Sequence, residues 1–485
     1  MLEIEVRRKM AMLRLEVPAP SLRTLRLWRT RRVLSQAPQH RFGFRQILES
    51  LAAAILLGRG WTLAAIGELL PSLTDAKIEA NIQCEAKGEP VSWVGTTPEP
   101  HIADPQRRRL EDSSEVAAIL LAQGILRQYD RVLTGEIVRQ EDGLPPELQS
   151  AMCRLGRLYI MEGKEDRAAC VHDVLDRSRQ PFESSHWGLS ALQNPRFRFR
   201  HALLIDPVFR VPTPDCSIIA NVAGGFGEDN LLETRFHTRL REAAERCGTR
   251  REQAYTEIRS WLARRSLTTE REYGAWLVDK RLTPLQQTIL EDYFQPVPEL
   301  WLIEGRAHRC ANCGTLMRPQ PDKTHFPDGR CPIRQCNSKR SPAVSERLDP
   351  ALGLHVAKPQ ILTYWTGPAI DELAIYTAGA KRGLSVKLYP EFDLCDVAVE
   401  GRAIGIDAKS YSSPITLALR LNKGIGGLIN YRRRIIAIGE ELVDRSPNYI
   451  STVRSCLDKR GDASTLEIMS VTSVIKMLRS LNNAR

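Results

Sequence analysis

Two groups of side chains in this 485-residue chain have the types and spacing that chemistry requires, and one lies near the C-terminus. Residues 397–399 and 403–408 are apolar runs separated by a short polar turn, which predicts a β-hairpin. Because side chains alternate along a strand, Asp407 and Lys409 share one face of the second strand. Asp396, on the first strand, lies nearly opposite Asp407. The hairpin therefore brings two carboxylates and an ammonium group together.

This combination of groups is suited to the hydrolysis of phosphodiester bonds. Paired carboxylates can hold one or two Mg²⁺ ions, while a lysine orients the attacking water and offsets developing charge. On the predicted helix before the hairpin, Glu372 adds a third carboxylate, and the Ala408 carbonyl can help complete the octahedral coordination of Mg²⁺. Asp393 is the alternative to Asp396. The predicted catalytic residues are Glu372, Asp396, Asp407 and Lys409.

The second group is a cluster of four cysteines: Cys310, Cys313, Cys331 and Cys336. Two residues separate the first pair, four separate the second, and 17 lie between the pairs, which is typical of a zinc ribbon. The segment is polar and rich in proline, so we expect little apolar core and a metal that supplies the folding energy. Four thiolates leave no open coordination position, so the predicted zinc is structural.

Other interpretations of this cysteine cluster are possible from the sequence. Cys310 and Cys313 alone could form a redox pair, but that leaves the other two cysteines unexplained. His308 and His325 are substitute ligands, although four thiols make either unnecessary. The module is also basic, and it lies either on a phosphate backbone or between domains as a clamp. Its basic residues are Arg306, Arg309, Arg318, Lys323, Arg330, Arg334, Lys339 and Arg340.

The elements around the hairpin must hold the acidic group in place. From residue 350 to 485, a helix and a strand precede the hairpin, and helices alternate with strands after it. One of these helices begins at about Pro414, and the strand after it covers 433–442. This order predicts a layered α/β domain.

At these residues the sequence resembles the PD-(D/E)xK restriction-endonuclease-like superfamily. The resemblance covers roughly 358–481 and rests on the helix with Glu372, on Asp396 before a strand, and on Asp407, Ala408 and Lys409 on the next strand. It implies that the acids bind the catalytic metal and that the lysine assists attack by water. Cys395 stands where the motif name has proline.

Residues 1–300 have mostly helical periodicity, and we predict one or two domains that bind substrate or partners. The first fifty residues are the most basic; they form either a basic arm or a solvated helix face whose arginines pair with acids. Around Trp61, a helix, a short break and a second helix fit a helix-turn-helix or a plain bundle. Residues 212–227 are predicted to form a loop without chemistry.

Composition limits the classes of protein. Hydrophobic residues at 42% and charged residues at 26% exclude wholesale disorder, and a net charge of +11 favours nucleic acid as a partner. No stretch approaches the roughly 18 apolar residues of a membrane span, and the first residues lack the apolar segment of a secretory signal. Seven scattered cysteines suit a reducing compartment, which predicts a cytoplasmic protein.

The predicted architecture is multidomain: a mainly α-helical region at 1–300, a four-cysteine zinc-ribbon module at 301–345, and an α/β restriction-endonuclease-like domain at 350–485. This layout is similar to the nuclease partner encoded with bacterial Argonaute-like proteins and a helicase in three-gene defence islands. The resemblance implies a helicase and an Argonaute-like protein as partners in antiviral defence. We predict a Mg²⁺-dependent nuclease acting on DNA in preference to RNA. The alternative is a nuclease fold that has lost catalysis and serves as a nucleic-acid-binding adaptor.

Overall fold

The computed structural model describes residues 2–13, 15, 17–31, 33–35, 43–59, 61–87, 91, 93, 105–139, 143–222, 232–337 and 343–481. By internal contacts the chain forms two compact units, Met1–Asp104 and Pro105–Arg485. Among the described helices, none is long and apolar enough to cross a membrane.

The first unit is helical. Its helices are α1 (Leu2–Met12), α2 (Leu22–Thr30), α3 (Phe44–Gly58), α4 (Leu63–Leu69) and α5 (Asp75–Ala86). The central helix α3 is apolar nearly all round and is buried along most of its length. Around Trp61 the predicted order is confirmed, because the turn Leu70–Ser72 separates α4 from α5.

The basic first fifty residues are folded into this unit. Helices α1 and α2 bury apolar side chains, including Val6 and Trp28, in the core of the unit. Several arginines pair with nearby acids: Arg7 with Glu3, Arg8 with Glu5, and Arg45 with Glu49 and Asp75. The solvated-helix interpretation therefore describes these three arginines better than a basic arm does.

The second unit begins with further helices. They are α6 (Pro105–Leu133), α7 (Pro146–Met161), α8 (Val171–Arg177), α9 (Ser190–Gln193), α10 (Pro214–Ala220), α11 (Leu232–Glu245), α12 (Arg251–Arg264), α13 (Glu270–Asp279) and α14 (Gln286–Tyr293). The prediction of a loop over 212–227 was wrong for its first half, because Thr213 caps the buried helix α10. Residues 223–227 lie outside the described part of the chain.

Two small sheets follow. Strands β1 (Leu267–Thr269) and β2 (Phe294–Pro296) both pair antiparallel with β5 (Leu354–Ala357). Strand β3 (Ala307–Cys310) pairs with β4 (Val344–Leu348) beside the cysteine cluster. The first two strands were not predicted, because three-residue strands carry almost no periodic signal.

A five-stranded sheet forms the C-terminal part, in the order β10-β9-β8-β7-β6. Its strands are β6 (Val386–Leu388), β7 (Val397–Val399), β8 (Ile404–Lys409), β9 (Arg433–Ile438) and β10 (Glu467–Ser470). The predicted hairpin is confirmed, since β7 pairs antiparallel with β8, with Val397 opposite Ile406. The last three strands are parallel. Strand β9 ends at Ile438, earlier than predicted, because a helix starts at Glu440.

Several helices lie between and beside the strands of this C-terminal part. They are α15 (Arg334–Asn337), α16 (Pro359–Ile361), α17 (Gly367–Lys381), α18 (Pro390–Asp393), α19 (Pro414–Lys423), α20 (Glu440–Arg445), α21 (Tyr449–Cys456) and α22 (Val471–Ser480). Helices α17 and α22 pack on the face that includes Ile404 and Ile406. Helices α19 and α21 pack on the opposite face, with Ile436 and Ile438. This layering is the predicted α/β architecture.

Candidate active site and metal centre

A cavity of about 1130 Å³ opens beside the end of strand β8. It is lined by all four predicted catalytic residues and by the alternative acid: Glu372, Asp396, Asp407, Lys409 and Asp393. Other walls come from the helical region and the cysteine segment, and these contribute His237, Arg241, Arg259, Arg330 and Arg334. The cavity is therefore built from parts of the chain that are far apart in sequence.

The hairpin fixes Asp396 and Asp407 next to each other. The backbone N–H of Asp396 donates a hydrogen bond to Oδ1 of Asp407 at 3.1 Å. Oδ2 of Asp396 accepts one from the backbone N–H of Ala408 at 2.6 Å. Nζ of Lys409 lies 3.3 Å from Oδ2 of Asp407. Two carboxylates and an ammonium group thus converge as the alternation of side chains predicts.

Glu372 reaches this cavity from helix α17, and its side chain is only 2% exposed. Its Oε2 accepts a hydrogen bond from the hydroxyl of Tyr389 at 2.5 Å. Its Oε1 lies 3.7 Å from Nη2 of Arg259, which is on helix α12. Glu372 is therefore held by a tyrosine and an arginine in the same cavity.

Asp393 contacts different partners from Asp396. Its Oδ2 accepts a hydrogen bond of 3.4 Å from the hydroxyl of Tyr255. The same oxygen lies 3.6 Å from Nε of Arg259 and 3.6 Å from Nδ1 of His237. Asp393 thus contacts the helical region, whereas Asp396 contacts Asp407. This geometry favours Asp396 as the partner of Asp407.

The carboxylates are crowded, and their pKa values follow from burial and from one another. Burial, with a smaller contribution from the charge of Asp393, raises the pKa of Glu372 to about 7, although Arg259 and Tyr389 act against it. Burial and then the charge of Glu372 raise the pKa of Asp396 well above its usual range. Burial would lower the pKa of Lys409, but Asp407 and Asp396 outweigh it and raise that pKa. Such a group of acids favours a bound cation.

The donor chemistry fits a hard divalent cation. Carboxylate and carbonyl oxygens are the ligands that Mg²⁺ prefers, and Asp396, Asp407 and the Ala408 carbonyl supply them. Within the described residues, the acids do not form a set of three with ligand atoms all within 4.8 Å of one another. Asp396 and Asp407 would therefore hold the ion, and Glu372 is tied to Tyr389 and Arg259 instead.

A buried acid that the sequence did not reveal anchors the segment after Lys409. Asp215, at the start of helix α10, is fully buried. Its carboxylate accepts hydrogen bonds from the backbone N–H groups of Ser412 at 2.7 Å and Ser413 at 3.2 Å, and from the hydroxyl of Thr416. These bonds tie the start of helix α19 to the helical region. Asp215 therefore helps to position the end of strand β8.

The four cysteines form a second site. Their sulfur atoms all lie within 4.8 Å of one another, and within the described residues they are the one such set of three or more potential metal ligands. Gly314 follows the first pair with a φ of +72°, and a Cβ there would meet the Arg264 carbonyl oxygen at 2.7 Å. The tight turn therefore needs glycine. Four converging thiols can hold a metal such as zinc.

The expectation of a coreless cysteine module was wrong. Cys310, Cys331 and Cys336 are buried in one core with residues from helices α11 to α14 and with Trp365. The module is therefore packed into the second unit, and this apolar core contributes to its stability without any metal.

Part of its basic charge is also internal. Arg309 is 3% exposed and contacts Glu272 and Glu346, each at 2.5 Å. Arg318 lies over the ring of Trp301, and burial lowers its pKa to about 10. Neither histidine is needed as a ligand, since His308 contacts the Asp328 carbonyl and His325 contacts Asp322.

Residues 369–484 match a family model described as a REase associating with pPIWI_RE. The C-terminal domain is restriction-endonuclease-like. The match includes Glu372, Asp396, Asp407 and Lys409 and excludes the helical region and the four cysteines. No curated protein and no solved structure matches the chain.

Several residues around this restriction-endonuclease-like site escaped sequence reasoning. Arg259, Tyr255 and His237 lie more than a hundred residues before it, and no spacing in the sequence connects them with Asp393. Tyr389 was closer to detection, because it belongs to the strand predicted before Asp396, although in the structure it directly follows that strand, β6. The contacts of these residues arise from tertiary packing alone.

Proposed function

We propose that the chain is a Mg²⁺-dependent nuclease that hydrolyses phosphodiester bonds, acting on DNA in preference to RNA. The observation that carries the proposal is the adjacency of Asp396 and Asp407, with Lys409 3.3 Å from Asp407, in a cavity of a restriction-endonuclease-like domain. When bound, Mg²⁺ supplies Lewis acidity to the phosphate and lowers the pKa of water.

Each residue of the site then has a role that its position supports. Asp396 and Asp407 hold the cation through carboxylate oxygens. Lys409 directs its ammonium group to the same place, where it orients the attacking water and offsets charge on the phosphate. Glu372 is a third acid beside them and contributes negative charge to the site. The four cysteines hold a structural zinc that closes its own coordination shell and takes no part in the hydrolysis.

We further propose that the protein works in the cytoplasm in prokaryotic antiviral defence. The matching family, described as a REase associating with pPIWI_RE, supports an Argonaute-like partner for this domain. A helicase is the second expected partner, on the basis of the domain layout. The net charge of +11 is consistent with a nucleic-acid substrate.

An adaptor without catalysis is the second candidate. The observation that favours it is the state of Glu372, whose two oxygens face Tyr389 and Arg259. In such a nuclease fold the third acid is engaged by protein side chains and does not bind the metal. The domain could then bind nucleic acid and recruit partners without cleaving the nucleic acid. Both candidates predict binding, so binding does not distinguish them.

Cleavage distinguishes the two candidates. Zinc-loaded full-length protein should be incubated with single-stranded DNA, double-stranded DNA, single-stranded RNA and an RNA–DNA hybrid, with Mg²⁺, with Mn²⁺ or with no divalent cation added. The nuclease proposal expects cation-dependent products from at least one DNA-containing substrate. Binding of these substrates without products under any of these conditions favours the adaptor.

A further inference from the structure

One face of helix α12 packs against the loop that leads to Asp396. The residues of this face are spaced at i, i+3, i+4 and i+7, and we call them the α12 face: Glu252, Tyr255, Thr256 and Arg259. The 389–393 loop begins the connection between strands β6 and β7, and it contains the short turn α18, whose backbone is left-handed at Glu391 and Phe392 and is therefore not regular α-helix. Helix α12 lies outside the segment that matches the restriction-endonuclease-like family model.

Two residues of the α12 face hold the backbone of the loop. Oε1 of Glu252 accepts a hydrogen bond from the backbone N–H of Glu391 at 3.1 Å. The hydroxyl of Thr256 donates a hydrogen bond to the carbonyl of Tyr389 at 3.2 Å. The loop is therefore fixed at two points of its main chain.

The loop has a conformation that needs such support. Tyr389, Glu391, Phe392 and Asp393 have φ values of 48°, 49°, 60° and 72°, in the left-handed region that side chains disfavour. A run of four such residues within five positions persists only where surrounding structure determines it. The contacts from the α12 face supply part of that structure.

Arg259 joins the loop to the third acid of the site. Its guanidinium carbon lies over two rings, 4.4 Å from the centroid of Tyr389 and 4.8 Å from that of Trp365. From there it faces Glu372 at 3.7 Å and Asp393 at 3.6 Å. One side chain thus spans both carboxylates.

The arrangement around Arg259 is not one that packing alone favours. Among the described residues, Nε and Nη1 of Arg259 and Oδ1 of Asp393 are buried without a hydrogen-bond partner. Unsatisfied buried polar groups cost stability, and they concentrate where function requires them. Charge and stacking hold Arg259 here, at distances longer than hydrogen bonds.

We propose that the α12 face positions the carboxylates of the active site and that Arg259 is its central positioning residue. Arg259 holds Glu372 and draws Asp393 toward the helical region, while Glu252 and Thr256 keep the 389–393 loop in its left-handed form. Asp396, three residues beyond the loop, is thereby placed beside Asp407. This inference rests on the proposed nuclease function, and it makes the helical region a part of the nuclease site.

The test uses three variants of the full-length, zinc-loaded chain. Arg259→Lys keeps the positive charge but loses the planar group that spans two carboxylates. Thr256→Val keeps the shape but loses the hydrogen bond to Tyr389. Gln253→Ala is the matched control, since Gln253 is exposed on the same helix and outside the α12 face.

Three quantities are measured: amide hydrogen exchange over residues 389–396, the Mn²⁺ concentration that half-saturates the protein in a calorimetric titration, and kcat with KM for DNA cleavage. We expect both variants to speed exchange in this segment and to raise the Mn²⁺ concentration for half-saturation, while Gln253→Ala matches the wild type. Displaced carboxylates should lower kcat by about 10-fold or more and leave KM within about twofold.

A purely structural role gives a different result. If both variants only lower the melting temperature, with loop exchange and Mn²⁺ binding equal to those of the wild type, the proposal is overturned. A wild-type chain that cleaves no substrate contradicts the nuclease function instead, and loop exchange and Mn²⁺ binding still decide whether the α12 face positions the acids.

Discussion

The backbone N–H of Asp396 donates a hydrogen bond to Oδ1 of Asp407 at 3.1 Å, across the hairpin that joins strands β7 and β8. The carboxylate of Asp396 accepts the N–H of Ala408 at 2.6 Å in return. The two acids are thus tied to each other's strand by main-chain groups. Substitutions that preserve shape can therefore test their chemistry without opening the hairpin.

The first prediction ranks the two candidate acids. Asp396→Asn should lower kcat by about 100-fold or more, because it removes a charged ligand beside Asp407. Asp393→Asn should lower kcat less, since Asp393 faces Arg259, Tyr255 and His237 rather than Asp407. Steady-state cleavage by the two variants under saturating Mg²⁺ measures the ranking. The opposite order would identify Asp393 as the acid that binds the metal.

The second prediction concerns the four cysteines. We expect one tightly bound zinc per chain after purification under reducing conditions, measured by elemental analysis. Cys310→Ser should lose that zinc and lower the melting temperature by roughly 5 °C or more, because metal binding contributes folding free energy. Cys456→Ser is the matched control, since Cys456 is exposed and far from the cluster in sequence. Protein that is fully reduced, folded and free of zinc would contradict the assignment.

How far the sequence predicts this site depends on which contacts are local. The pairing of Asp396 with Asp407 and the shared face of Asp407 and Lys409 follow from the period of a strand and the length of a turn. The hydrogen bond from Asp396 to Asp407 and the 3.3 Å contact between Lys409 and Asp407 agree with both features. The convergence of the four thiols was likewise predictable from their spacing.

Other features depend on packing between distant segments. Arg259 meets Glu372 across more than a hundred residues of sequence, and Asp215 reaches Ser412 across nearly two hundred. The apolar core around the cysteines was missed for the same reason, because residues from helices α11 to α14 complete it. The hydrophobic periodicity of one segment indicates its own secondary structure but not its contacts with distant segments.

The third prediction concerns the arginines of helix α2 and of the residue that follows it, in the first unit. If helix α2 and its C-cap residue Arg31 track phosphates, Arg26→Gln and Arg31→Gln should each reduce the slope of log affinity against log salt by about one and weaken binding to unrelated sequences equally. Arg7→Gln is the control, because Arg7 pairs with Glu3 at 2.7 Å. The neighbouring Arg32 lies outside the described residues. A wild-type slope in both α2 variants, with reduced stability or partner binding, would mean that this face does not contact nucleic acid.

The central claim is that Asp396, Asp407 and Lys409 form a metal-dependent hydrolytic site, and cleavage by Asp407→Asn and Lys409→Ala tests it most directly. Both variants should fold, bind the same DNA within about threefold of the wild type, and lose cleavage by about 100-fold or more. The loss follows because one variant removes a metal ligand and the other a group that orients water. Equal, Mg²⁺-dependent cleavage by the wild type and both variants, each purified free of contaminating nuclease, would contradict the account.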